Sequence, residues 1–435
     1  MTLAGFYKHW QNFFFKPTSP TPIALFRICL GLIVLQDLLL MLIPDFNVYY
    51  SDNAIIPIDQ ISANWWHTDP CFDLMLLLPG GDSGRLVFLW LTVGLAVLMT
   101  VGLWTRFSSV ALFLCMLSID NHFELNQNDG DVFIRLAVMM VAMSNCGDAF
   151  SFDNLIRALG QDWRVEGLAP RLSAPWAQRL LQMQVAFVYF HSFISKIAGR
   201  QWLDGVACYY ASRYDEMFRF PVPFLFENLW MCKLLTWFTL ITEFLLFTLI
   251  WFKETRYWVI FLGMILHLGI EYSTNLPLFE WLFMSLYLLF VDPKDLTRAM
   301  DWTKAKIAAR FGPPSVVAYD GDCGVCVRVV GLIYRLDIFG RLQFLSFRSA
   351  DDAAQLGAFD WARAEREMLL QVKDGWQGGF YAFRSVAWLL PLLWWLCPLL
   401  YIPGINYLGE RVYAWVSENR FMILGRICEG GVCSQ

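Results

Sequence analysis

Eight apolar blocks, at 22–43, 86–104, 107–120, 132–149, 177–198, 230–252, 256–271 and 276–291, constrain the fold of this chain more than any other feature. A soluble helix alternates apolar and polar faces, whereas a bilayer core demands long runs with few charges. Composition agrees: 57% of the residues are hydrophobic and 16% are charged, where soluble domains run at about half and a quarter. The 20 tryptophans suit the headgroup zone, where aromatic rings collect. Several blocks are shorter than the ~20 residues that cross a bilayer alone; such helices span when packed in a bundle. The first apolar stretch begins near Pro22 and is too long for a cleavable signal, so it reads as a membrane helix. A net charge of −5 without a long basic run gives nucleic-acid binding no electrostatic support.

Loop charges orient the spans. Segment 44–84 holds Asp45, Asp52, Asp59, Asp69, Asp73 and Asp82 and no Lys or Arg. Segment 150–176 holds Arg157, Arg164 and Arg171, the link after 252 holds Lys253 and Arg256, and the stretch after 291 holds Lys294, Arg298, Lys304, Lys306 and Arg310. Basic loops stay cytoplasmic. The expectation is an α-helical integral membrane bundle of about eight spans in the cell inner (plasma) membrane, contacting lipid, with both termini in the cytoplasm. Loops 44–84, 121–131, 199–229 and 272–276 then face outward, and Arg200, Arg213 and Arg219 in the third of them run against the rule.

Ionisable residues interrupt the blocks: Arg27 and Asp37, Asp131 and Arg135, His191 and Lys196, Glu243, His267 and Glu280. At membrane depth such groups are costly and turn toward the bundle interior. They read either as ion pairs that fix helix register or as a working site. Lys196 stands toward the outer end of its block, where it can snorkel or, desolvated, act as a base.

Tyr189 to Lys196, followed by Trp202 and Gly205, resembles the lysine helix of the vitamin K-dependent carboxylase family, whose bacterial relatives are called HTTM. Asn121-His122, Ser151-Phe152-Asp153, His267-Leu268 with Phe279, and the closing Phe290-Val291-Asp292-Pro293 match in order, so the resemblance covers 20–293. It implies that Lys196 deprotonates a reduced naphthoquinone (a vitamin K-like quinol) and that His122 assists. It also implies that His191, Trp202 and His267 contact the cofactor. The outer loops are too short for the large lumenal domain of the carboxylases.

After Pro313-Pro314 the composition changes. Residues 315–319 read as a buried strand, 324–337 as a helix, 342–347 as a strand and 349–366 as a helix. Residues 368–373 and 379–383 read as a hairpin about Asp374-Gly375. This order is thioredoxin-like. The expected organisation is 1–21 as an N-terminal segment, 22–293 as the membrane domain, 294–314 as a linker and 315–435 as the α/β domain. Cys323 and Cys326 open the first helix of that domain. A thiolate there is favoured by the helix N-terminus, and the second sulfur, one turn on, can resolve a mixed disulfide with a protein or peptide thiol. Asp320 and Asp322 oppose the thiolate.

Tyr319-Asp320-Gly321-Asp322-Cys323-x-x-Cys326, with Glu418-Asn419-Arg420-Phe421 and Leu424-Gly425-Arg426 near the end, resembles the DCC family of thiol-disulfide oxidoreductases. A four-cysteine zinc site of Cys323, Cys326, Cys428 and Cys433 competes on ligand type, but no metal is expected. The other cysteines, Cys71 among them, sit on scattered apolar stretches. Trp388 to Pro403 is apolar but broken by Pro391, Pro398 and Pro403, and reads as a surface resting on membrane or bundle. Three functions follow: a membrane thiol redox enzyme with a quinone site, a quinol-dependent carboxylase acting on a small peptide or lipid, or a non-enzymatic scaffold or peptide-export component.

Overall fold

The computed structural model describes residues 2–56, 72–123, 128–161, 171–211, 213–214, 218–222, 227–276, 278–357, 359–373, 375–425, 427–428 and 431–432. Cys71 and Cys433 lie outside the described residues. The chain divides into two units, Met1–Asn154 with Pro170–Pro293, and Leu155–Ala169 with Lys294–Gln435.

The first unit is helical. Helices Thr21–Asp37, Asp82–Val101, Thr105–His122, Asp129–Met143, Trp176–Ile197, Leu229–Thr248, Arg256–Ser273 and Phe279–Leu286 fall on the apolar blocks. Among the described residues, three stretches of this unit, Thr21–Leu42, Asp82–Val101 and Leu229–Trp251, are long and apolar enough to cross a membrane by length and composition. The 15 residues of Asp129–Met143 extend about 22 Å, short of the ~30 Å hydrocarbon core. Thr21–Asp37 is the central element: Phe26, Leu30 and Val34 have no exposed surface and join one core with Leu89, Leu112, Val138, Leu181 and Leu286. The outward face of several helices carries large apolar side chains, among them Trp90, Phe187, Trp230 and Trp258. That is the pattern of a surface facing lipid rather than water.

The second unit is α/β. Strands β1 (Ser315–Tyr319), β2 (Leu342–Ser346), β3 (Leu369–Val372) and β4 (Gly375–Gly378) form a mixed sheet in the order β2-β1-β3-β4. β1 runs parallel to β2 and antiparallel to β3, and β3 runs antiparallel to β4. Alternation along β1 splits the core: Val317 packs with Val330, Leu370 and Val386 on one face, and Ala318 with Leu345, Phe347 and Leu369 on the other.

Local structure departs from the sequence reading in three places. Residues 379–383 are not a strand but the start of helix Gly379–Leu389. Gly379, Ala382, Val386 and Ala387 are its buried residues, so the helical period prevails over the alternation. The expected helix at 349–366 is reduced to the single turns Ala350–Ala353 and Trp361–Ala364, because Gly357 between them has a φ of +63°. Residues expected as a linker form the helix Pro293–Phe311. Beyond Leu389 come a 3-10 segment Pro391–Leu396, a turn Cys397–Leu400 and the helix Ile405–Leu424.

Candidate functional sites

In the membrane unit, three predicted basic residues each meet a buried carboxylate. The Lys196 ammonium donates to Glu243 Oε1 at 2.6 Å and also to Ser192 Oγ, and Ser192 Oγ donates to the same Glu243 oxygen at 3.0 Å. Ser192 and Lys196 stand four residues apart, on one helix face. Trp202 completes this group, its ring 5.2 Å below the ammonium. His191 lies on the exposed face of the same helix, away from the pair.

His267 is the second. Its Nδ1 meets Glu280, its Nε2 meets the Tyr189 hydroxyl at 2.6 Å, and Tyr189 meets the Tyr287 hydroxyl at 2.7 Å. The ring stacks on Phe283. Tyr189 and Lys196 share a helix, seven residues and two turns apart, and so lie on one face of it. The two groups therefore make one buried polar seam. Along it, Glu243 Oε2, Thr242 Oγ1 and Glu280 Oε1 have no hydrogen-bond partner among the described residues.

His122 is the third, and its expected position in an outer loop is corrected. It occupies the last turn of Thr105–His122 and is only 2% exposed. Its Nδ1 meets Asp73 Oδ2 at 2.8 Å, while Ser118 and the Met75 backbone N–H donate to the other oxygen of Asp73. Asn121 Nδ2 donates to the Phe72 carbonyl, tying the same helix end to the preceding segment. Tyr50 stacks on the imidazole, whose Nε2 is buried without a partner among the described residues. His122 and Lys196 thus have separate partners.

Ser151-Phe152-Asp153 has a structural role. Asp153 accepts from the Trp104 and Thr105 backbone N–H groups at 2.8 and 2.7 Å and from the Thr105 hydroxyl, closing the N-terminus of Thr105–His122. Arg27, without exposed surface, donates to the Cys146 and Phe150 carbonyls nearby.

In the α/β unit, Cys323 caps the helix Gly324–Leu336, and its sulfur accepts from the Cys326 backbone N–H at 3.4 Å. Hydrogen bonding from the Cys326 thiol, outweighing burial, together with that N–H and the Arg420 charge, lowers the Cys323 thiol to about 6. The Cys326 thiol is held well above its ordinary value by its bond to Cys323 and by burial. The opposing Asp320 is occupied: it accepts from Arg348 Nε at 3.0 Å and from Arg420 Nη2 at 3.4 Å, and is 2% exposed. Arg420, from the asparagine-arginine ending, also donates to the Glu365 carbonyl at 2.6 Å. Sequence reading missed this use of Arg420, because 100 residues separate it from Asp320.

Cys323 has no exposed surface, whereas Cys326 is part-exposed in an apolar groove. The chain near Leu424 closes over the helix start: the Gly324 N–H donates to the Gly425 carbonyl at 3.2 Å, and a Cβ on Gly324 would come within 2.6 Å of the Leu424 carbonyl. Among the described residues, no three His, Cys, Asp or Glu side chains gather as a metal site.

A helical unit with membrane-length apolar spans, joined to an α/β unit with a helix-capped dithiol, defines a membrane protein of the redox class. Residues 15–294 match the HTTM domain and residues 317–426 match the DCC1-like thiol-disulfide oxidoreductase. The first match takes in more than half of the chain, which belongs to the HTTM domain family and carries a DCC1-like domain after it. A 138-residue stretch is 23% identical to "Uncharacterized protein YitO" of Bacillus subtilis (strain 168), covering 29% of this chain and 44% of that protein. The likeness thus spans less than half of that relative. No solved structure matches.

Proposed function

We propose that the chain is a thiol-disulfide oxidoreductase of the inner membrane that works through Cys323 and Cys326 on a protein or peptide thiol. The observation that carries this reading is the depressed Cys323 thiol at a helix N-terminus, with a second sulfur one turn away. The strand order is consistent with a thioredoxin-like unit. Eight spans, cytoplasmic termini and a cytoplasmic dithiol follow from the loop charges. The test is disulfide exchange with glutathione by the full chain in lipid. Exchange lost in Cys323→Ser and retained in Lys196→Ala supports the reading, and exchange that survives both Cys323→Ser and Cys326→Ser overturns it.

A second reading places quinol-dependent, carboxylase-like chemistry in the membrane unit. It is favoured by the buried seam, where the unpartnered carboxylate oxygens of Glu243 and Glu280 are suited to accept the hydroxyl hydrogens of a reduced naphthoquinone. Lys196, Trp202 and His267 would hold that quinol, which when bound supplies reducing equivalents. His191, on the exposed face, is not positioned with them. Oxygen- and quinol-dependent product formation on a small peptide or lipid, lost in Lys196→Ala, would establish this chemistry.

A further inference from the structure

Three helices of the α/β unit, Gly324–Leu336, Gly379–Leu389 and Ile405–Leu424, leave a groove of about 410 Å³ beside the dithiol. Small-molecule sites run from roughly 300 to 1,000 Å³. Val325, Val329, Phe380, Phe383, Leu408 and Val412 give it apolar walls, and among the described residues no carboxylate lines it. Cys326 lines it as well, so Cys326 is the sulfur that an occupant meets.

Three observations select the occupant. The first is the wall itself. Helices form it, and the one residue nearest the sheet, Met368, adjoins the inner strand β3. Among the described residues an extended peptide finds no free strand edge here with which to pair, whereas a flat apolar ring needs none. The second is the polar equipment. Tyr413 and Arg420 line the groove within electrostatic reach of Cys326. The Tyr413 hydroxyl accepts the Met368 N–H at 2.8 Å and keeps its own hydrogen to donate. A phenol hydrogen and a guanidinium suit a carbonyl oxygen, not a cation. The third is access. Pro391–Leu400 and Ile405–Leu424, bent by 111°, are together apolar enough for a broken span or a re-entrant segment. Trp394, Trp395, Val412 and Trp415 are each more than half exposed on them. A lipid-dissolved molecule can reach such a groove without passing through water.

We propose that this groove takes a lipid-soluble quinone that oxidises the Cys323–Cys326 dithiol. The inference rests on the dithiol reading above and names its electron acceptor. At neutral pH the pair is a thiolate and a thiol, so one S–H bond breaks and one S–S bond forms, and the second proton comes from water. The two electrons, the Cys326 proton and the proton from water pass to the quinone, whose two carbonyls become the hydroxyls of the quinol. Tyr413 and Arg420 orient the carbonyl oxygen near Cys326.

The test uses the full chain, reduced, in lipid nanodiscs, with decylubiquinone as the probe. Expected are one quinol per protein, a disulfide that maps to Cys323 and Cys326, and a rate at least tenfold lower in Leu408→Trp and Val412→Trp. Both changes are at half-exposed positions, and unchanged thermal unfolding checks their fold. If diamide forms the disulfide but decylubiquinone does not, the quinone inference falls and the dithiol reading stands. If neither forms it, both fall. Quinone reduction untouched by the two groove variants, or an equal loss with glutathione disulfide as oxidant, overturns the groove assignment. A disulfide peptide that oxidises the pair while decylubiquinone is inert assigns the groove to protein substrates instead.

Discussion

The Cys326 backbone N–H donates to the Cys323 sulfur at 3.4 Å, so the N-terminus of the Gly324–Leu336 helix is directed at one sulfur atom. Two sulfurs that share a proton titrate as a pair. The first proton leaves at about 6 and the second is held far longer.

Thiolate formation in the pair should therefore rise with pH through about 6 and then level off. Because the thiolate is the nucleophile, the rate of disulfide exchange follows the same curve: low in acid and flat above neutrality. Thiolate absorbance of the wild type minus that of Cys323→Ser checks this. A difference curve centred near the ordinary thiol value would contradict it.

Arg420→Met should shift that curve upward, since it removes a positive charge that favours the thiolate and leaves Asp320 with one guanidinium, that of Arg348, besides the Asp322 backbone N–H. Breaking a buried pair costs about 3–5 kcal/mol, and here Arg348 limits the loss to roughly the lower figure. Arg420→Lys should recover part of the shift, because charge returns without the second donor to Glu365. Denaturation and thiolate titration of both variants give the comparison.

Lys196→Ala or Glu243→Gln alone should destabilise the membrane unit by about 3 kcal/mol, the cost of stranding one buried partner. Their carboxylate–ammonium contact is 2.6 Å, and the Glu243 side chain is 7% exposed. Replacing both by Met should cost less than either single change, since no unpaired charge then remains. Thermal unfolding in nanodiscs measures it; additive losses would show that the two residues act independently.

Asp153→Ala should cost about 2 kcal/mol, at the upper end for a helix cap, because the carboxylate takes three hydrogen bonds at the start of Thr105–His122. His122 ends that helix. Hydrogen exchange of its first turn should accelerate more than that of Leu229–Thr248. Equal protection in the variant would count against the cap.

These sites differ in how far they could be read from sequence. The dithiol was legible because strand, turn and helix start are consecutive, and its position follows from local chemistry alone. The carboxylates that fix Lys196 and His122 lie 47 and 49 residues away, on other helices or segments that only tertiary contact brings near. Glu243 and Glu280 were visible as intramembrane acids but not as partners. Residues 379–383 were misread because a short apolar run fits both periods, and burial of Ala382 and Val386 decides between them. The groove was invisible, since three helices distant in sequence wall it.

A redox titration tests the Cys323–Cys326 dithiol most directly. The full chain is equilibrated in lipid against graded glutathione ratios, quenched in acid, alkylated and mapped by mass. One two-electron transition is expected, with a disulfide between Cys323 and Cys326 that is absent in Cys323→Ser. Cys323 and Cys326 remaining as free thiols at every ratio, including the fully oxidised limit, would contradict it.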